Sequence, residues 1–278
     1  MGSQGPMTHG SDTFETLHTG LTVELIQTSR EHLVTCGPLE KAAEVLRRND
    51  HGHETYDYLP VEDEGEITGL FRTRAITADP PEDGTVVQSL MDGLSSANLI
   101  GGDGAILDFL HEVNEKPYRL VVAGNRVSGL VTWSDLQKLP VRAVLFGLIT
   151  GLEMEMARAI RCRYPSGDDW LKHLGAWGQG RVRRLITRSV KHDSEVDSLL
   201  YTHFGDKAKI LREIDCPGSW AESKREEEFK EIRKLRNAVA HTRDYVTARE
   251  DVTKIQGVIR SLVRLCSELK EWQAREPA

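Results

Sequence analysis

Hydrophobic and polar residues follow different periods in the two halves of the chain. Before residue 140, short apolar runs bounded by turn residues predict strands, most clearly YRLVVAG from Tyr118 and RVSGLVT from Arg126. LTVELI, from Leu21, predicts a further strand. Helical spacing appears in PLEKAAEVLRR, opened by Pro38, and in GAILDFLHEV, from Gly104. This half is therefore predicted to mix strands and helices.

After residue 140 only the helical period continues, which predicts an all-helical bundle. The predicted helices are VRAVLFGLITGLEMEMARAIRCR, ended by Pro165; WLKHLGAWGQGRVRRLITRSV, interrupted near Gly175 to Gly180; FGDKAKILREI; a helix through FKEIRKLRNAVAH; and DVTKIQGVIRSLVRLCSELKEWQ. Ser219 and Glu222 predict a capping box at the start of the fourth of these helices.

The first half also contains an internal repeat. Sixty residues separate Tyr58 from Tyr118 and Gly69 from Gly129, so YDYLPVEDEGEITGLFRTRAI aligns without a gap over KPYRLVVAGNRVSGLVTWSDL. A segment rich in Asp, Pro and Gly, TADPPEDGT from Thr77, separates the copies. Two copies of one strand-turn-strand unit are therefore predicted to pack together.

Length and composition favour two globular domains. The 278 residues are 39% hydrophobic, which is ample for ordinary cores. We predict that residues 1–19 are a tag remnant and leader, because MGSQGPM is typical of an expression tag. Residues 20–140 are predicted to be the paired repeat, and residues 141–278 the helical bundle.

Charge and cysteine content narrow the classes of protein. A net charge of −7 argues against a generally basic nucleic-acid coat, although a local basic patch can still hold phosphate. The four cysteines form no CxxC pair, so we expect buried thiols in a reducing compartment rather than a zinc site or disulfides. No apolar run approaches the about 18 residues that span a bilayer, and no signal peptide is recognisable. We therefore expect a cytoplasmic protein with no membrane partner.

The repeat resembles CBS domains, which are small β-α-β-β-α units that pair into a Bateman module. The resemblance covers roughly residues 20–140 and is carried by YLPVEDEGEITGL in copy one and YRLVVAGNRVSGLVTWSDL in copy two. It implies a cleft between the copies that binds an adenosine-containing ligand. An adenine nucleotide, namely AMP, ADP or ATP, is therefore the expected regulatory ligand.

The resemblance also implies the residues that contact this ligand. The family's ribose-gripping pattern is Thr or Ser followed three residues later by Asp, and Thr132 and Asp135 match it. A carboxylate at a helix start accepts hydrogen bonds from both ribose hydroxyls, while a threonine hydroxyl donates to a phosphate oxygen. Copy one lacks the pattern, so one ribose site is expected, with Arg72 or Arg74 contacting the phosphates. Alternatively, Asp135 only N-caps a helix that begins at Leu136, and the arginines are solvated.

In the second half, RNAVAH matches the R-x4-H pattern of HEPN domains with Arg236 and His241, and the resemblance to HEPN bundles covers residues 141–274. Many HEPN proteins are metal-independent ribonucleases. A second match, RNDHGH from Arg48, lies where an aspartate and a glycine predict a connecting loop. The motif in the helical half is therefore the candidate catalytic site.

Helical geometry makes this motif an awkward site within one chain. Five steps of about 100° place Arg236 and His241 about 140° apart around the axis, whereas Asn237 and His241 share a face. Two such helices related by a two-fold axis would place both pairs around one groove, which resembles the dimeric arrangement of HEPN nucleases. We therefore predict a homodimer with a composite site.

In that site His241 would remove the proton of a ribose 2′-hydroxyl, whose oxygen then attacks the adjacent phosphate. Arg236 would stabilise charge on the phosphoryl oxygens, and Asn237 would orient the histidine or the phosphate. The products would be a 2′,3′-cyclic phosphate and a 5′-hydroxyl, formed without a metal. The candidates for flanking phosphates, or equally for a solvated helix face, are Arg233, Lys234 and Arg243.

Together these patterns favour a nucleotide-regulated, metal-independent endoribonuclease with an RNA substrate, and family analogy suggests a role in stress response or phage defence. The competing hypothesis is a non-enzymatic, adenine-nucleotide-sensing adaptor whose bundle is a dimerisation or partner-binding surface. In that case His241 would favour the helix C-terminal dipole, and Arg236 would pair with a carboxylate for packing. A nucleotidyl-modifying enzyme is disfavoured, because no paired carboxylates or Gly-rich phosphate loop is present.

Overall fold

The computed structural model describes residues 20–50, 55–77, 81–190, 197–216, 220, 223–241 and 243–275. These residues divide into two compact units, one up to Val141 and one from Arg142 onward. Within the described residues, strands occur only in the first unit. The predicted order, an α+β repeat followed by helices alone, is confirmed for this part of the chain.

The elements of the first unit are β1 (Thr28–Ser29), α1 (Ala42–Asp50), β2 (Tyr58–Asp63), β3 (Glu66–Arg72), α2 (Thr73–Thr77), β4 (Asp92–Gly93), β5 (Leu99–Gly101), α3 (Ile106–Glu112), β6 (Tyr118–Ala123) and β7 (Arg126–Thr132). The helices that follow are α4 (Leu139–Arg163), α5 (Ala176–Val190), α6 (Phe204–Glu213), α7 (Ser223–Ala240) and α8 (Arg249–Arg275).

The sequence repeat is a structural repeat. β2 and β3 form an antiparallel hairpin that β6 and β7 reproduce sixty residues later in the same register. Val61 lies opposite Gly69 as Val121 lies opposite Gly129, and the register shifts just after the valine in both hairpins.

The two copies exchange their leading strands. β1 precedes copy one but pairs with β7 of copy two, whereas β4 precedes copy two but pairs with β3 of copy one. The sheet orders are therefore β1-β7-β6-β5 and β2-β3-β4. Each sheet therefore contains a short strand that directly precedes the other copy in the sequence.

The repeated glycines leave room for these exchanged strands. A Cβ atom on Gly129 would lie 2.5 Å from the carbonyl oxygen of Thr28, and one on Gly69 would lie 2.7 Å from that of Asp92. Both distances are shorter than van der Waals contact. Glycine is required at each position because the backbone of the crossing strand approaches so closely.

Apolar side chains from both copies form a shared core. One cluster of buried residues joins the two hairpins and contains Ile67, Leu70, Leu120, Val127 and Leu130. The rings of Tyr58 and Tyr118, which the repeat aligns, lie 4.6 Å apart between centroids. The copies are thus packed face to face at equivalent positions.

Several predicted elements of the first unit are wrong in detail. LTVELI does not form a strand, because residues Val23–Leu25 form a single 3-10 turn. Val23 and Ile26 are fully buried, and an apolar spacing of three residues fits such a turn as well as a strand. The helix predicted from Pro38 begins only at Ala42.

The predicted helices of the second unit also need corrections. α5 passes through Gly178 and Gly180 without a break, and the interruption lies before Ala176, after the 3-10 helix Asp169–His173. α7 ends at Ala240, so His241 is in the following turn rather than in the helix. The predicted capping box of Ser219 and Glu222 lies outside the described residues.

The cysteines only partly match the predicted burial. Cys36 and Cys216 are buried, but Cys266 is half-buried and Cys162 is exposed on α4. Loss of solvation raises the pKa of Cys36 and of Cys266 to about 12. These two thiols are therefore kept protonated at neutral pH.

Candidate functional site

A cavity of about 360 Å³ lies in the first unit and takes its walls from both copies of the repeat. Copy two contributes the end of β7 and the turn after it, and the segment before β2 contributes the opposite wall. Among the lining residues are Thr28, Tyr56, Asp57, Thr132, Trp133, Ser134 and Asp135. The repeat thus produces a concave site at the predicted ribose-binding pattern.

Asp135 is largely buried at this cavity, with 7% of its surface exposed. Its Oδ2 accepts a hydrogen bond from the backbone N–H of Thr132 at 2.6 Å, and its Oδ1 lies 2.7 Å from Nζ of Lys138. The carboxylate therefore caps the 3-10 helix Trp133–Gln137. Asp135 is thus the third residue of this helix and part of its capping box, not the N-cap of a helix that begins at Leu136. Its carboxylate has further lone pairs and also lines the cavity.

Thr132 is the N-cap residue of that short helix, and its hydroxyl lies 2.6 Å from the hydroxyl of Ser134. Both hydroxyls belong to residues that line the cavity. Because a hydroxyl can both donate and accept, this pair can reorient toward a phosphate or a ribose oxygen.

The two predicted phosphate-binding arginines lie outside the cavity wall. Nε of Arg72 pairs with Oδ2 of Asp92 at 2.9 Å. Nη1 of Arg74 lies 3.8 Å from Oδ2 of Asp57, which itself lines the cavity. Arg74 thus pairs with a residue of the cavity wall, whereas Arg72 pairs with a residue outside it.

Asp92 belongs to a polar cluster where the copies meet. It accepts a hydrogen bond from the hydroxyl of Tyr118 at 2.7 Å in addition to pairing with Arg72. Burial, followed by this hydrogen bond, raises the pKa of Tyr118 to about 12. Arg72 therefore occupies the position in copy one that Thr132 occupies in copy two, but its side chain contacts the residues that join the two copies.

Sequence reasoning missed the wall formed by residues 55–58. Tyr56 and Asp57 line the cavity directly before the repeated Tyr58. The alignment of the two copies could have indicated this wall. The segment that leads into β2 of copy one lies across the cavity from the end of β7 of copy two.

In the second unit, the R-x4-H motif spans the C-terminal end of α7. The backbone N–H of His241 still donates to the carbonyl oxygen of Asn237 at 3.1 Å, so the last turn continues into the motif. Asn237 and His241 are both exposed, and Arg236 is half-buried. The predicted common face of Asn237 and His241 is therefore open to solvent.

Arg236 belongs to a cluster of charges that links α7 to α4 and α6. Its Nε lies 2.8 Å from Oε1 of Glu153 on α4, and Oε2 of the same glutamate lies 3.9 Å from Nζ of Lys207 on α6. Lys207 is 4% exposed, and its Nζ donates to the carbonyl oxygen of Thr202 at 3.0 Å. Burial lowers the pKa of Lys207, while the charge of Glu153 opposes that shift.

The turn that carries His241 is fixed by Arg142 of α4. Its guanidinium donates to the carbonyl oxygens of Ala238 at 3.4 Å and of Arg243 at 3.1 Å. The same group lies 5.0 Å above the centroid of the Tyr245 ring. Sequence reasoning missed this residue, which adds a charged donor to the Ala238 carbonyl, already bonded by the backbone N–H of Arg243 at 3.0 Å, and donates to the Arg243 carbonyl.

A groove of about 590 Å³ lies between α6 and α7, and its lining includes Phe204 and Phe229, two glutamates and four cations. The cations are Lys209, Arg212, Lys230 and Arg233. Of the three predicted flanking residues, only Arg233 lies here. Lys234 pairs with Glu231 on the surface of α7, and the carbonyl of Arg243 is held by Arg142.

The second R-x4-H match has no comparable setting. Arg48 lies on α1 and pairs with Glu40 at 2.7 Å, while His53 lies outside the described residues.

No group of three or more His, Cys, Asp or Glu side chains in the described part of the chain is arranged to hold a metal ion. None of the helices within the described ranges is long and apolar enough to cross a membrane.

No protein-family model and no curated protein matches the chain. Solved CBS-domain structures resemble about half of it. The CBS domain of a bacterial CNNM/CorC family Mg²⁺ transporter in complex with ATP is 17% identical, with a TM-score of 0.39, over 49% of this chain and 97% of that one. The CBS-pair protein CBSX2 from Arabidopsis thaliana is 21% identical, with a TM-score of 0.36, over 45% of this chain and 94% of that one.

A CBS-domain pair with bound AMP from Klebsiella pneumoniae is 17% identical, with a TM-score of 0.34, over 41% of this chain and 94% of that one. The resemblance of the helical half to HEPN domains stays a prediction.

Proposed function

We propose that the first unit is a regulatory module that binds an adenine nucleotide, AMP, ADP or ATP, in the cavity between its copies. Asp135 would accept hydrogen bonds from the ribose hydroxyls, and Thr132 would donate to a phosphate oxygen. Tyr56 and Trp133 would supply apolar surface for the base. The observation that carries the proposal is a largely buried carboxylate on the wall of a cavity that both copies build.

The placement of the arginines refines this proposal. Arg74 pairs only at 3.8 Å with a residue of the cavity rim, so a short side-chain movement would bring it to a phosphate. Arg72 would first have to leave its 2.9 Å pair with Asp92. We therefore expect Arg74 to contact a polyphosphate and Arg72 to hold the copies together.

Isothermal titration calorimetry with AMP, ADP and ATP tests the nucleotide site. Asp135→Asn should weaken binding by about 10- to 100-fold, because it removes charge-assisted hydrogen bonds. Asp108→Asn, an exposed carboxylate on α3 outside the cavity, is the matched control. Arg74→Ala should weaken ATP binding more than AMP binding. Absence of binding heat for all three nucleotides, with none carried through purification, would reject the module.

For the helical unit we propose a metal-independent endoribonuclease that works as a homodimer. One His241 would take the proton from the ribose 2′-hydroxyl as the 2′-oxygen bonds to phosphorus. The bond from phosphorus to the 5′-oxygen would break, and the second His241 would return a proton to that oxygen. Arg236 would stabilise the phosphoryl oxygens, and Asn237 would orient the histidine or the phosphate. The products would be a 2′,3′-cyclic phosphate and a 5′-hydroxyl.

Exposure and fixation of the motif support this role. Asn237 and His241 are exposed at a helix end that Arg142 holds through two carbonyls, so their backbone is ordered before substrate arrives. Arg236 is adjacent but engaged with Glu153. Glu153 would then position the guanidinium, with Lys207 balancing its charge.

Cleavage of a labelled RNA tests the catalytic proposal. Arg236→Ala and His241→Ala should each abolish cleavage while circular dichroism and the mass in solution stay unchanged. Lys254→Ala, an exposed cation on α8 outside the motif, is the control for a simple loss of positive charge. Normal cleavage by the His241 variant would exclude this site. Repeating the assay with and without nucleotide tests regulation by the first unit.

The 2.8 Å pair between Arg236 and Glu153 favours a second candidate function. An arginine that only ties α7 to α4 would suit a non-enzymatic, nucleotide-sensing adaptor whose bundle binds a partner. Under this alternative no RNA would be cut at any nucleotide concentration, and Arg236→Ala would lower thermal stability rather than activity.

A further inference from the structure

α5 is strongly basic in an otherwise acidic chain. Its sequence, AWGQGRVRRLITRSV, contains four arginines and no Asp or Glu, whereas the whole protein has a net charge of −7. Neither the nucleotide cavity nor the R-x4-H motif uses this helix. Such a local excess of arginine gives a surface that attracts phosphate.

The same helix exposes a large aromatic ring. Trp177 is 74% exposed, although tryptophan is usually well buried. At about 100° per residue, Trp177, Arg181, Arg184 and Arg188 lie within an arc of about 60° on the helix. They form one stripe that extends about 16 Å along the axis.

Arg181 anchors the start of this stripe. It pairs with Asp206 and donates to the carbonyl oxygen of Tyr201 at 2.8 Å, so its charge is already engaged. Its guanidinium carbon also lies 5.8 Å from the centroid of the Trp177 ring. Arg181 therefore helps to hold the tryptophan ring in place while most of that ring stays exposed.

The other arginines of α5, which are Arg183, Arg184 and Arg188, are exposed. Across the part of the chain that the structure describes, no carboxylate lies within ion-pair distance of any of the three. Positive charge and an open aromatic face are the two features that bind single-stranded nucleic acid, since phosphates meet the cations and bases stack on the ring.

We propose that α5 is a binding surface for single-stranded RNA, with a base stacked on Trp177 and the sugar-phosphate backbone running past Arg184 and Arg188. That this RNA is a substrate rests on the ribonuclease activity proposed above, whereas the binding of RNA to α5 does not depend on that activity. A second copy of this chain fits the helix less well, because two such arginine stripes repel each other across a symmetric interface.

Fluorescence anisotropy with a labelled 2′-O-methyl RNA of about twelve nucleotides tests the binding. This probe has no free 2′-hydroxyl, so the intact protein cannot cut it by the proposed route. Trp177→Ala should weaken binding about tenfold. Arg184→Ala combined with Arg188→Ala should reduce the slope of log affinity against log salt by about 0.7 per arginine.

Matched controls come from the first unit. Leu39, 76% exposed, is replaced by alanine as a control for apolar surface, and exposed Arg47 is replaced by alanine as a control for charge. Neither should change the affinity. The proposal is overturned if the α5 variants bind the probe as tightly as the wild type, or if the wild type does not bind it. It is also overturned if the α5 variants differ from the wild type in mass in solution, because that would indicate that α5 mediates self-association.

Cleavage of unmodified RNA separates this inference from the proposed activity. If the α5 variants have a higher KM than the wild type and an unchanged kcat, both the ribonuclease and the α5 binding surface stand. If RNA is never cut but the probe binds through α5, the ribonuclease fails and the binding surface stands. If RNA is cut with an unchanged KM, the binding surface fails alone.

Discussion

Replacing Gly129 by alanine is expected to disrupt the exchange of leading strands. The added methyl would lie 2.5 Å from the carbonyl oxygen of Thr28 and 2.3 Å from Oε1 of Gln27. The glutamine side chain can rotate away, but the Thr28 carbonyl belongs to β1, which pairs with β7 at only two positions. Relief of the clash requires the strand to retreat by roughly 1 Å.

The expected cost is about 1–3 kcal/mol of unfolding free energy, which is typical of an overpacked site. Urea denaturation followed by circular dichroism measures it. Gly93→Ala is the matched control, because a Cβ there meets nothing within 4 Å although Gly93 also lies in a crossing strand. Since Thr28 lines the cavity that is proposed to bind a nucleotide, Gly129→Ala should also weaken nucleotide binding. Equal unfolding free energies for the two variants would refute the steric argument.

Three further outcomes follow from contacts and burial. Arg142→Ala should destabilise the helical unit by about 2 kcal/mol in urea melts followed by tryptophan fluorescence, because two carbonyls lose a charged donor. Exposed Cys162 should react with a thiol reagent at pH 8 before Cys36 or Cys266, whose pKa values are raised to about 12; simultaneous labelling would contradict this order. The pKa of Tyr118 is raised to about 12 in the folded protein, so its contribution to the free energy of unfolding is complete below about pH 10 and is lost as the pH rises toward 12. Tyr118→Phe should therefore lose less stability at alkaline pH than the wild type, as measured by urea midpoints from pH 8 to 12.

Local pattern was enough to predict the two hairpins and most of the helices, although not all of the helix boundaries. Tyr58 and Tyr118 mark equivalent strand starts, and each repeated glycine lies at the same register position, so period and alignment agree with the backbone. The misassigned LTVELI shows the limit, because two buried apolar residues three apart do not distinguish a strand from one helical turn.

Long-range pairing was beyond the reach of such patterns. Nothing in Thr28 or Ser29 indicates that their partners are Leu130 and Gly129, about a hundred residues away. The same holds for the candidate sites. Thr132 and Asp135 were found through a local motif, whereas the ion pair that engages Arg236 depends on Glu153, a residue on a different helix.

The exchange of leading strands also has a consequence for synthesis on the ribosome. β1 emerges early but has to wait for β7, and Lys138 bonds the carbonyl of Ile26 across 112 positions of sequence. At about 5–20 residues per second, the nascent first copy stays without its partner for roughly 5–20 seconds. During that interval its unpaired edges and apolar surface are open to chaperones, so the time of translation itself becomes part of how this unit reaches its folded state.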